Sequence, residues 1–73
     1  MDREMRIKKD IIMFEKNVDK TTEMELTESQ LKIIELAGQY YDDSTYYFEK
    51  GDFFTAFGSI NYAHGLLDAI IKF

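Results

Sequence analysis

Residues 50–73, KGDFFTAFGSINYAHGLLDAIIKF, decide the fold. From Phe53 to Phe73 the formal charges are Asp68 and Lys72 alone, in a chain where 32% of residues are charged. A helix that is apolar almost all round must be covered on more than one side. This segment is therefore the central element of a small bundle or part of an interface. Lys50-Gly51-Asp52 is the punctuation before it. Gly51 is the residue type that takes the left-handed position after a helix without a Cβ clash. Asp52 is a natural cap for the helix that follows. With only Gly51 and Asp52 between them, the two helices must fold back as an antiparallel hairpin.

The last helix, about 53–72, has two faces when its residues are spaced by 100°. Phe53, Ala56, Phe57, Ile60, Ala63, Leu67, Ile70 and Ile71 form the main apolar arc, predicted to pack on the preceding helix. Behind it run Phe54, Gly58, Tyr62, Gly65, Ala69 and Phe73. Each glycine in a helix interior costs ~1 kcal/mol relative to alanine, so two on one face point to something docking there. The occupant is either the first helix of the same chain or a second copy of the chain.

The middle helix, about 28–50, opens on the clearest local signal. Thr27 and Gln30 have capping-box spacing, with Leu26 and Leu31 placed as a hydrophobic staple. Ile33, Leu36, Ala37, Tyr40, Tyr41, Tyr47 and Phe48 form its apolar arc. Ser44 sits within that arc, with the Tyr40 carbonyl as the expected acceptor for its hydroxyl. Glu28, Glu35, Asp42 and Glu49 recur on the opposite side, the pattern of a solvated face. The first helix, about 3–18, carries a narrow seam of Ile7, Ile11, Phe14 and Val18. Met1, Met5 and Ile12 make a weaker second stripe. Asp19 to Leu26 reads as a connection.

Composition bounds the rest. Seventy-three residues make one domain, 1–73, that buries only ~60% of its unfolded surface. With no cysteine and one histidine, neither a disulfide nor a structural zinc site is available to it, and no metal or other cofactor is expected. Residues 1–20 hold six Lys/Arg against five Asp/Glu, whereas residues 21–73 hold three against nine. An acidic body repels phosphate backbones, so no nucleic-acid partner is expected. Residues 53–73 are interrupted by Asn61, His64 and Asp68, which argues against a membrane span. The charged start, MDREMRIKKD, is unlike a signal peptide, and a soluble, cytoplasmic protein is expected.

Tyr41, Asp43, Tyr47-Phe48, Gly51-Asp52, Ala56, Ile60, Tyr62-Ala63 and Gly65-Leu66-Leu67-Asp68-Ala69 together carry a family resemblance. Residues 37–69 resemble the archaeal family called domain of unknown function 357, with Ser44 in place of the alanine expected after Asp43. The resemblance implies a small all-α, up-and-down three-helix bundle and supplies no activity. The same turn is similar to that of a tetratricopeptide repeat, but the Leu-Gly pair of its first helix is replaced by Asp43-Ser44. It is also similar to the HEPN nuclease fold, whose Arg–His signature is missing because Arg3 and Arg6 lie far from His64.

Chemistry is sparse. His64 and Asp68 are four apart on one helix and within reach of each other. Such a pair can orient an imidazole for base catalysis or begin a metal site. A structural, hydrogen-bonded histidine is the favoured account, because no nucleophile or Glu-x-x-His motif accompanies it. Exposed tyrosine is common where proteins touch. The expectation is a non-enzymatic module for self-association, as a homodimer, or for binding a larger protein partner. Its surface is assigned to Phe54, Gly58, Tyr62, Gly65 and Ala69, with Tyr46 at a rim. The alternative is a small enzyme or nuclease-like domain working through His64 and Asp68.

Overall fold

The structure, a computed structural model, describes residues 2–72. Helix α1 spans Arg3–Asp19, α2 Glu28–Glu49 and α3 Phe53–Ile71, and no strand forms among the described residues. The protein is an all-α, up-and-down three-helix bundle. Its long dimension of 37 Å follows α2, whose 22 residues span about 33 Å at 1.5 Å each.

Local chemistry sets the helix ends. The Asp2 carboxylate accepts from the Met5 N–H at 2.8 Å and starts α1. Thr27 and Gln30 form the capping box: the Gln30 N–H donates to Thr27 Oγ1 at 3.1 Å, and the Thr27 N–H to Gln30 Oε1 at 2.9 Å. Gly51 ends α2 with φ at +81°. Its N–H reaches the Phe48 carbonyl at 3.1 Å while the Asp52 N–H reaches that of Tyr47 at 2.9 Å, the paired bonds of a Schellman motif. The Asp52 carboxylate then accepts from the Thr55 N–H and starts α3. Bonds from the Thr55 side chain and backbone hold that carboxyl below its ordinary range.

The hairpin and α1 share one core. Phe48 meets Phe53 beside the turn, with ring centroids 5.5 Å apart, and Tyr40 meets Tyr62 further along at 4.5 Å. Ala37, Ala56 and Ala63 are fully buried, so small side chains line the contact between α2 and α3. Helix α1 adds Ile7, Ile11 and Phe14 to Ile60 and Leu67. Burying Ile7, Ile60 or Leu67 completely is worth about 1.5–3 kcal/mol each. Arg6 lies over the Phe57 ring and Asp10 meets His64, so α1 runs parallel to α3.

Four expectations change. The connection after α1 is partly ordered: α1 continues to Asp19, and Lys20–Glu23 form a turn of 3-10 helix. The Thr21 hydroxyl donates to the Val18 carbonyl at 2.7 Å, satisfying a helix-end acceptor while the residue is buried. Leu36 is 39% exposed, and Ile34 packs against the core instead. Relative to buried Ala37, Ile34 lies 60° round on the side α1 covers, whereas Leu36 lies 100° away on the open side. Ser44 is buried but donates to the Tyr41 carbonyl at 2.6 Å rather than to that of Tyr40. The stripe of Met5 and Ile12 faces solvent, at 58% and 43% exposed; Met1 and Phe73 lie outside the described residues.

Candidate functional site

Helix α3 is covered on two flanks and open on its outer side. Phe57 and His64 contact α1 and Tyr62 leans on Tyr40 of α2, while the arc between Phe54 and Ala69 is left to solvent. Phe54 is 82% and Tyr62 55% exposed, and Asn61, Gly58, Gly65 and Ala69 are exposed with them. From Phe53 to Leu67 no charged residue occurs, although an outward helix face ordinarily carries charge. A Cβ built on Gly58 or Gly65 would meet no atom within 4 Å. The chain's own packing therefore does not require glycine at either position, and α1 does not cover them. Gly38, beside the seam of α1 and α2, is open in the same way. Asn61, Tyr62, Gly65 and Leu66 line a shallow hollow of about 360 Å3 on this face.

The structure gathers Phe54, Gly58, Tyr62, Gly65 and Ala69 along one strip. Tyr46 does not join them. It lies half a turn round α2 from Ala37, which enters the core, and so points away from α3. Its neighbours are Tyr47, edge-on at 5.1 Å, and the Lys50 ammonium, 5.4 Å from its ring centroid.

His64 and Asp68 are engaged separately. The Asp10 carbonyl can only accept, so His64 Nε2 carries the proton and donates to it at 2.8 Å. The imidazole also stands edge-on to Phe14, with centroids 5.7 Å apart. Asp68 instead pairs with Lys72 at 3.5 Å. A cleft of about 340 Å3 opens beside them, bordered by Asn17, Lys20 and Asn61. Among the described residues no three of His, Cys, Asp or Glu come together as a metal site. The imidazole acts as a clasp between α1 and α3.

Sequence reasoning did not find the second clasp. The Tyr41 hydroxyl donates to the Glu15 carboxylate, and its ring stacks on Phe14 with centroids 5.1 Å apart. The hydrogen bond to Glu15, then burial, then the Glu15 and Asp42 charges push the phenol up to about 12 from 10.0. The partners lie 26 residues apart on different helices, so no local spacing signals them.

No helix among the described residues is long and apolar enough to cross a membrane. No curated protein shows significant similarity to the chain. The family model described as protein of unknown function (DUF357) matches residues 9–73, which takes in most of α1 and all of the α2–α3 hairpin. The chain therefore belongs to the DUF357 family.

Proposed function

We propose that this protein is a small association module whose working surface is the outer side of α3. The observation that carries this reading is an outward helix face that bears no charge from Phe53 to Leu67 and leaves Phe54 82% exposed. Contiguous exposed apolar surface on a small protein marks interaction sites. Two interior glycines, each costing ~1 kcal/mol and neither required by the chain's own packing, support it further. The partner is a second copy or a larger protein, and the proposal assigns no catalytic role, metal, cofactor or nucleic acid. Engagement of His64 by a backbone carbonyl supports a structural rather than a chemical use for that residue. An archaeal origin rests on the family resemblance, and placement in the cytoplasm on the charge pattern of the sequence.

The test is Gly65→Lys, which sets a charge in the middle of the strip at a position where an added Cβ meets no atom within 4 Å. Helix content should stay unchanged. Solution mass by sedimentation equilibrium, and the proteins captured from an extract of the native organism, should both be compared with wild type. Loss of self-association or of a captured partner in the variant supports the reading. Equal behaviour of the two proteins in both measurements defeats it.

A further inference from the structure

Helix α1 has an outward face that the fold does not use. We infer that this face, separate from the strip on α3, docks an acidic amphipathic helix of another protein. Ile7, Ile11 and Phe14 turn into the core, so the opposite side of α1 is centred on Lys9. Met5, Arg6, Ile12, Met13 and Lys16 lie within about 60° of it round the helix. All six residues are exposed, and the apolar ones keep 58%, 43% and 45% of their surface at Met5, Ile12 and Met13. Met5, Lys9, Met13 and Lys16 follow one another at helical spacing, so apolar and cationic side chains alternate along one line. Lys20, one turn further on, is exposed as well.

The carboxylates of α1 are held off this line. Glu4, Asp10, Glu15 and Asp19 lie about 80–140° round the helix from Lys9. Asp2 is engaged as the helix cap, and Glu15 accepts from Tyr41. Among the described residues the one ion pair is Lys72 with Asp68, so Lys9 and Lys16 keep their charge free. A cationic and apolar surface with no anion of its own is complementary to an anionic and apolar one. The alternation sets the form of the partner. A helix that lies in a bilayer gathers its apolar residues on one side and its cations on the other, whereas here both share one line. A nucleic acid offers phosphates without apolar anchors, and its length would meet the acidic body. An amphipathic helix with carboxylates spaced between apolar side chains meets all of these positions together. The unbranched thioethers of Met5 and Met13 adapt to the shape of an apolar anchor. The acidic row Glu28, Glu35, Asp42 and Glu49 belongs to α2, and the width of α1, about 10 Å, stands between that row and this face. Charge acts over only ~8 Å at physiological salt, so the face presents its own sign despite the chain's net −5.

The test is an NMR titration of the whole protein, at physiological salt, with a synthetic peptide helix as long as α1. The peptide carries Glu and Leu alternating at helical spacing, and a second peptide has the same composition in shuffled order. Backbone shifts should move at Met5, Lys9, Ile12, Met13 and Lys16 with the ordered peptide. The double variant Lys9→Glu and Lys16→Glu should bind it roughly tenfold more weakly or worse, with circular dichroism confirming that the variant is folded. No binding at millimolar peptide overturns the inference, as does equal binding of the shuffled peptide. Shifts confined to Phe54, Gly58, Tyr62, Gly65 and Ala69 overturn it and favour the strip on α3. Tighter binding to phosphatidylglycerol vesicles than to the ordered peptide makes the occupant a bilayer and overturns it. Shifts on α1 that move with concentration in the protein alone make the occupant the acidic row of a second copy, and overturn it too.

Discussion

Replacing Gly51 should destabilise the protein in a graded order set by backbone conformation alone. Its φ of +81° lies where a Cβ crowds the following carbonyl, and the site is otherwise open, with no atom within 4 Å of a built Cβ. Packing therefore contributes nothing to the cost. Gly51→Ala should lose about 1–2 kcal/mol, the penalty of the left-handed region for an L-residue. Gly51→Asn should lose less, because its side chain tolerates that region, and Gly51→Val more, because its β-branch does not. A domain of this length has roughly 4–11 kcal/mol of total stability. At about 4–8 °C per kcal/mol, Gly51→Ala should melt several degrees below wild type. Urea unfolding followed by circular dichroism at a helical wavelength measures all three. If Gly51→Ala is as stable as wild type, or if Asn is as costly as Val, the Schellman turn does not hold the hairpin as described.

Thr27→Ala should cost ~1 kcal/mol in the same assay through loss of the capping box. The Tyr41–Glu15 clasp predicts a pH effect. Folding raises the phenol pKa to about 12 from 10.0, so its contribution is fully present below pH 10 and is lost as pH rises toward 12. Tyr41→Phe should be less stable than wild type at neutral pH and should show a smaller fall in stability across that alkaline window, measured by urea unfolding at a series of pH values. The acidic body predicts no submicromolar binding to RNA at physiological salt, and a filter-binding or anisotropy titration checks it.

The hairpin was legible because its signals are local. Thr27 to Gln30 and Gly51-Asp52 each satisfy backbone groups within a few residues, so spacing alone locates them. The core line of α3 was also plain, since Ala56, Ile60, Ala63 and Leu67 repeat with the helix period. What spacing does not show is which side of an amphipathic arc a third element covers. Ile34 and Leu36 are both apolar and flank Ala37, and only the placement of α1 on one side buries the first and exposes the second. Backbone acceptors are hidden for the same reason. His64 looked like a partner for Asp68, four residues away, but its acceptor is a carbonyl on another helix, 54 residues distant. Tyr46 looked like part of the surface because it is aromatic and on a polar side, yet that side faces away from α3. Phe54, Gly58, Tyr62, Gly65 and Ala69 could be grouped from helical phase alone. Their exposure, and the empty space around both glycines, needed the position of α1.

The central proposal is that the outer face of α3 is the surface through which the protein associates, and a second copy is the first occupant to test. Backbone amide chemical shifts followed by NMR from low micromolar to millimolar protein test it most directly. Shifts that move with concentration should cluster at Phe54, Gly58, Asn61, Tyr62, Gly65 and Ala69. The solvent side of α1 and the acidic side of α2 should stay still. Spectra that do not change over that range, or changes centred on α1 or on Glu28, Glu35, Asp42 and Glu49, would contradict it.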